Sequence, residues 1–178
     1  LSVSKTIFAG VKLPKNMIDL KNPEEITTMQ KGGKILHGIL LELLSAANAG
    51  VSLKKLDKLA EKLILESGGK PSFKMVKGYK WSICACVNDV VVHGIPNEYV
   101  LKDGDVFGID CGIYLDGLHT DHAWTKIIGD GSKEDNRQKS KFLEVGMDAL
   151  KKAIIQTQPG NYIYDISKLV REYPNIFA

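Results

Sequence analysis

The sequence predicts an α+β domain in which helix pairs flank a block of strands. Three observations predict it. Helical periodicity fills residues 22 to 67, and a β-rich, glycine-punctuated stretch runs from Pro71 to about Ile128. Helical texture then returns after a polar loop. The return repeats the opening at an offset of 110 residues, which carries Leu40 onto Leu150, Gly50 onto Gly160, Leu56 onto Ile166, Lys58 onto Lys168 and Leu59 onto Leu169. Each unit begins helix, glycine break, helix. Strands follow in the first unit, whereas the second reaches Ala178 inside or just after its second helix. The expected organisation is an arm over 1–21, a complete first half-unit over 22–128, and the start of a second over 129–178.

Each element has a local reason. Residues 1 to 21 lack steady periodicity. Asn22-Pro23-Glu24-Glu25 opens a helix, because Asn22 can cap it, Pro23 suits the first turn and the acids favour its positive end. Ile26, Met29, Leu36, Leu40 and Leu43 keep the helical period to Ala46, and Asn48-Ala49-Gly50 breaks it. Ser52 caps a second helix carrying Leu56, Leu59, Leu63 and Ile64, which Ser67-Gly68-Gly69 ends. Ile83, Val87, Val90-Val91-Val92 and Val106 to Ile109 read as strands. Gly129 to Lys139 reads as a polar loop, followed by a helix with Phe142, Val145, Leu150 and Ile154. Pro159-Gly160 breaks that helix, and Pro174 predicts an early end to the last one.

Composition narrows the function classes. Of 178 residues 44% are hydrophobic and 25% charged, which are globular values. Net charge is +3, too balanced to argue for nucleic acid, and Lys5, Lys12 and Lys15 in the arm read as solvated. No run approaches the length of a membrane span, and the N-terminus shows no apolar core behind a charged start. Cys84, Cys86 and Cys111 are odd in number and read as reduced thiols of a cytoplasmic protein; they lack the spacing of a zinc site.

The stretch from Ile109 to Thr125 carries the chemistry. Asp116-Gly117 is a strong two-residue hairpin turn. With those residues as the loop, Leu115 faces Leu118, Tyr114 meets His119, Gly112 meets Asp121 and Asp110 meets Ala123. Asp110 and Asp121 then project from one face as diagonal neighbours, about 7 Å apart at the backbone. Gly112, opposite Asp121, leaves space over them. Two such carboxylates can share a proton, pair with a base or hold cations; the plain alternative is two solvated acids on an open hairpin. His119 shares that face and is a weak ligand candidate, while His122 points away and His37 reads as structural. His93 follows an apolar strand and precedes Gly94, which sets its ring free at a strand end.

These residues resemble type I methionine aminopeptidases. The likeness is carried by Val87-Asn88-Asp89-Val90-Val91-Val92-His93-Gly94-Ile95-Pro96, Leu101-Lys102-Asp103-Gly104-Asp105, Ile109-Asp110-Cys111-Gly112, Asp116-Gly117 and Asp121-His122-Ala123-Trp124-Thr125. Pro23-Glu24-Glu25-Ile26 and Pro159-Gly160 add to it, so that it covers most of 22–170. The resemblance implies the pita-bread fold, with two pseudo-symmetric halves around a metal site. It implies a metal-dependent enzyme that removes N-terminal methionine from peptides and nascent proteins. Asp110 and Asp121 match two of five side chains that hold two divalent ions, and Asp121 matches the one that bridges them; cobalt, manganese, iron and zinc are not distinguished. His93 matches the catalytic histidine that contacts substrate. Phe73, Tyr79 and Cys84 fall where the family lines its methionine pocket, although Lys74, Lys77 and Trp81 depart from the usual pocket-loop pattern.

The family's other metal ligands are a histidine in a His-Gly-x-Gly stretch and two glutamates. The last histidine here is His122, and the only glutamates after Asp135 are Glu144 and Glu172, both in helical segments. Two expectations follow from that. One is an aminopeptidase whose remaining half comes from a complementary chain; the other is a truncated, non-catalytic relative that binds peptides or proteins. Half a sheet should also leave an open edge, which invites self-association.

Overall fold

The computed structural model describes residues 20–131 and 133–172. The predicted arm, apart from Leu20 and Lys21, and the predicted stop at Pro174 lie outside them. Helix α1 spans Pro23–Ala46 and α2 spans Leu53–Glu66. Strands β1 (Lys70–Pro71), β2 (Ile83–Val87), β3 (Val106–Leu115) and β4 (Leu118–Ile127) follow, then α3 (Arg137–Gln156) and α4 (Ile163–Glu172).

The caps work as the sequence indicates. The Asn22 side chain accepts from the Glu25 amide while Glu25 accepts from the Asn22 amide, a reciprocal pair that satisfies two free donors of the first turn. The Ser52 side chain accepts from the Lys55 amide. Strand β3 is the spine of an antiparallel sheet. Strand β4 pairs along its whole length, and β2 and β1 lie end to end on its other edge. Helix α1 packs across β3 and β4. Gly32 allows the close approach, since a Cβ there would meet Thr120 Oγ1 at 3.0 Å.

Alternation in the strands sorts the two faces. Phe107, Ile109, Cys111 and Ile113 of β3 join Ile83 and Ala85 of β2 on the helix side, where Leu36, Leu40 and Leu43 of α1 and Leu56, Ala60 and Ile64 of α2 close the core. The opposite face carries Cys84, Cys86, Gly108, Asp110, Gly112 and Asp121.

One expected strand is absent. Val90-Val91-Val92 lies in an irregular connection from Asn88 to Asp105, and Val91 is 87% exposed. The triplet has β propensity but pairs with no described strand, and both edges of β3 are taken by β4 and by β1 and β2. His93 therefore sits within this loop and not at a strand end. The later helices follow the repeat, with α3 beginning at Arg137.

The repeat differs in burial. Leu40 is 1% exposed and its counterpart Leu150 is 49%; Leu53 is 3% exposed and Ile163 is 83%. The second hairpin thus has the apolar pattern of the first, with only β4 of the sheet against α3. Among the described residues no strand pairs with the outer edge of β4. No described helix is long and apolar enough to cross a membrane.

This asymmetry has a measurable consequence. Leu40→Ala is expected to cost about 2–5 kcal/mol through lost burial and cavity formation. Leu150→Ala is expected to cost less than about 1 kcal/mol. Urea midpoints at unchanged slope report both values.

Candidate active site

The hairpin register sets the site. Asp116 has φ 48° and Gly117 φ 90°, the left-handed pair that a two-residue turn requires. Leu115 faces Leu118, Gly112 faces Asp121 and Asp110 faces Ala123, the register that the turn residues predict. Asp110 and Asp121 consequently share the face away from the helices.

The open space expected over Gly112 is filled. A Cβ on Gly112 would lie 2.9 Å from Ser72 Cβ and 3.0 Å from Phe73 Cε1. The segment after β1, including a short 3-10 turn over Phe73–Met75, is thereby brought down onto the carboxylate face. Ser72 Oγ hydrogen-bonds His119 Nδ1, and the His119 ring lies 4.7 Å from that of Tyr114. His119 shares the face, as its position in the strand predicts, but its ring is held by Ser72 and Tyr114. His122 lies on the helix side, stacked on His37 with ring centres 5.3 Å apart.

A cleft of about 490 Å³ brings together Phe73, Tyr79, Cys84, His93, Asp110 and Asp121. These are all six site residues expected from the sequence. Val76 and Ile95 also line it, and sequence reasoning does not single them out. Their only sequence signal is an apolar side chain in a polar or glycine-bearing loop. A larger cavity, about 650 Å³, lies between β4 and α3, but it lacks the paired acids.

The cleft has a polar floor and an aromatic wall. The Tyr79 hydroxyl donates to the Ile83 carbonyl at 2.8 Å and lies 3.3 Å from Cys84 Sγ. Burial, then the Cys84 contact, pushes the Tyr79 phenol up, and burial also raises the Cys84 thiol. Both stay neutral near pH 7 and present an apolar surface. Trp81, unusual for the resembling family, packs edge-on against Tyr79 at 5.4 Å, and Lys74 pairs with Glu61 of α2 at 2.6 Å. These departures brace the wall from behind. The buried carboxylate of Asp57 in α2 accepts from the Ser82 and Ile83 amides and fixes the start of β2.

The two acids are poorly matched to each other. Burial pushes the Asp110 carboxyl up to about 7, and a hydrogen bond with Asp121 and the negative charge of Asp121 add to the rise. Asp110 Oδ1 is buried and finds no donor. Such an atom calls for a proton or a cation. The donor set, two hard carboxylate oxygens side by side, fits part of a divalent-ion site. Among the described residues no group of three or more histidine, cysteine or acidic side chains could complete it. His93 reaches the cleft with φ 54°, a left-handed conformation that costs a non-glycine residue about 1–3 kcal/mol.

The raised Asp110 makes stability depend on pH. The folded chain holds this proton more tightly than the unfolded chain, where an aspartate titrates near 3.8. Its contribution is complete below about pH 4 and is lost as pH rises through about 7. Metal-free protein should therefore lose stability over that range in pH-dependent melting. Asp110→Asn should flatten the slope in part, because buried Asp57 titrates in the same sense. A divalent cation should restore stability above pH 7 in the parent and not in the variant.

Comparison with known proteins agrees with this geometry. The model of metallopeptidase family M24 matches residues 27–175. Methionine aminopeptidase 1 of Bacillus subtilis is 41% identical over 157 residues, which cover 88% of this chain and 62% of that protein. The crystal structure of methionine aminopeptidase from Thermotoga maritima superposes with a TM-score of 0.81 at 33% identity, over 88% of this chain and 62% of that one. The corresponding enzyme of Rickettsia prowazekii gives 0.84 at 28% identity, over 90% and 63%. The chain thus spans about three-fifths of the length of these relatives, and it has the first part of their pita-bread fold. With the family model running from α1 to beyond α4 and the paired aspartates in register on the sheet, the chain belongs to metallopeptidase family M24.

Proposed function

We propose that this chain carries the first half of a divalent-metal aminopeptidase that removes N-terminal methionine from peptides and nascent proteins. The observation that carries the proposal is the Asp110–Asp121 pair, with one orphaned buried oxygen, on the floor of a cleft walled by apolar and aromatic side chains. The relatives of Bacillus subtilis and Clostridium perfringens are methionine aminopeptidases, which supports the same reaction.

In this reading Asp110 and Asp121 would hold the divalent ions, two in number and drawn from cobalt, manganese, iron or zinc. A bound divalent cation there supplies polarisation of the scissile carbonyl and an acidified water. Phe73, Tyr79 and Cys84, joined by Val76 and Ile95, receive an unbranched thioether side chain and exclude water from it. Neutral Tyr79 and Cys84 suit that apolar guest, which an ionised group would repel. His93 meets the peptide beside the bond to be cleaved. We divide the chain into a first half-unit over 22–128 and the start of a second over 129–178, acting in the cytoplasm. The uncovered α3–α4 pair and the open edge of β4 favour completion by a complementary second-half segment, or self-association in its place. A non-catalytic peptide binder is the second reading, favoured by the missing third donor among the described residues.

The test is turnover of a methionyl-alanyl peptide with added cobalt or manganese. The 178-residue chain alone should be slow, because among the described residues no third ligand completes the metal site, and acid–base help from one of the family's missing glutamates would itself be worth about 100- to 10,000-fold. Adding the C-terminal two-fifths of a relative should raise the rate, and Asp121→Asn should abolish the gain. Tight methionyl-peptide binding with no gain on complementation would favour the binder. Turnover of several per second by the chain alone, lost in Asp121→Asn, would overturn the half-site account.

A further inference from the structure

We propose that Asp105 is the positioning residue of the His93 loop, holding the imidazole in the cleft through a hydrogen-bond hub at the base of the loop. The proposal rests on the reading of His93 as the group that meets the peptide. It concerns how His93 is held there.

The loop from Asn88 to Asp105 carries two left-handed residues, Asn88 at φ 53° and His93 at φ 54°. Between them Asp89 to Val92 is exposed. The direction of His93 is therefore set by what holds the two ends. At the far end Gly94 is clipped to β2. The Ala85 amide donates to the Gly94 carbonyl at 2.8 Å, and a Cβ on Gly94 would lie 2.2 Å from the Ala85 oxygen. At the near end Asp105 does the holding. Its Oδ1 accepts from Asn88 Nδ2 at 2.9 Å, and its Oδ2 accepts from the Tyr99 hydroxyl at 3.0 Å and the Lys102 amide at 2.9 Å. Asn88 Oδ1 in turn accepts from the Val106 amide at 3.0 Å.

One 7%-exposed carboxylate thus ties the exit of β2, the returning limb of the loop and the entry of β3. Burial alone would raise its pKa. The hydrogen bonds from Asn88, Lys102 and Tyr99 outweigh burial and keep it below the usual range, so all three donors meet an ionised acceptor. Strain at Asn88 and His93 persists because both ends are fixed. Loosening the near end lets His93 relax to an ordinary backbone conformation and withdraw its ring.

The chemistry permits a swap. In Asp105→Asn, an amide group must face either Asn88 Nδ2 or the pair of donors from Tyr99 and Lys102, so one donor meets a donor. Combining Asn88→Asp with Asp105→Asn removes that conflict. The amide nitrogen now at position 105 donates to the carboxylate now at position 88, and the amide oxygen still accepts from Tyr99 and Lys102. The carboxylate at position 88 still accepts from the Val106 amide. Every hydrogen bond is restored with the roles of the two positions exchanged.

The chain has four histidines, so the imidazole carbon–proton spectrum holds four sets of signals. In Asp105→Asn the His93 signals should broaden or move, while those of His37, His119 and His122 stay. The double substitution should return His93 to its parent position. Where the chain, alone or complemented, cleaves a methionyl peptide, kcat should fall about 10- to 100-fold with KM nearly unchanged, and recover in the swap. If Asp105→Asn does not fold, Tyr99→Phe, which deletes one donor, is read in the same way. Unmoved His93 signals in the folded variant, equal movement of all four histidines, or failure of the swap to restore His93 would overturn the proposal. The spectrum decides it even if the chain cleaves nothing, so a failed aminopeptidase reading is distinguished from a failed positioning role.

Discussion

The register of the β3–β4 hairpin is the constraint on which the rest depends. Side chains in a strand alternate with a period of two, so a slip by one residue would turn Asp121 toward α1 and bring His122 to the open face. The same slip would set a charged carboxylate against the aliphatic core and expel a stacked histidine from it. The turn residues and the core therefore specify one answer. Asp116 and Gly117 accept the left-handed backbone that closes a two-residue loop, and Phe107, Ile109, Cys111 and Ile113 can be buried only in that pairing. The acids inherit their position from this agreement. They do not create it, since the partly buried Asp110 carboxylate beside exposed Asp121 disfavours the fold once both are ionised.

A second principle is division of labour between the two sheet faces. The helix face holds the domain together with aliphatic side chains in close contact. The other face places polar atoms that are not fully satisfied, with Asp110 Oδ1 as the clearest instance. Buried acids outside the cleft serve it indirectly. Asp57 anchors the start of β2 beneath Cys84, and Asp105 anchors the loop above it. Both accept more than one hydrogen bond. That is how an ionised or partly ionised carboxyl is tolerated in a nearly dry setting.

Much of this is legible from the residues. Asn22 and Ser52 announce their helices because a cap is a local device, complete within four residues. Asp116-Gly117 announces the hairpin, and counting outward from it gives every pair down to Asp110 and Ala123. The resemblance supplies Phe73, Tyr79 and Cys84, which no periodicity would select, and a role for His93. What the residues conceal depends on distant partners. Val90-Val91-Val92 looks like a strand, but the neighbouring Asn88 side chain is tied to a carboxylate and a backbone amide seventeen and eighteen residues away in sequence. Asp57 and Asp105 look like surface charges until the amides and hydroxyls that surround them are brought together by the fold. Gly112 reads as an opening in the sequence and is a close contact for Ser72 and Phe73 in the fold.

The closeness of the two acids in sequence also bears on the order of assembly. Asp110 and Asp121 meet across a local hairpin, a contact whose elementary formation takes about 1–10 μs. The cleft wall forms otherwise. Tyr79, Cys84 and His93 reach the acids only after β2 has joined β3 across a long loop and α2 has fixed the Ser82 amide. Non-local pairings of that kind are slower, because chain-closure entropy must be overcome before contacts compensate for it. On chain-closure entropy alone, the acidic floor of the cleft is the faster part of the site to assemble and the aromatic wall the slower. During synthesis from the N-terminus, a ribosome-bound chain that has emerged as far as β4 already presents both carboxylates before α3 or α4 has left the ribosome.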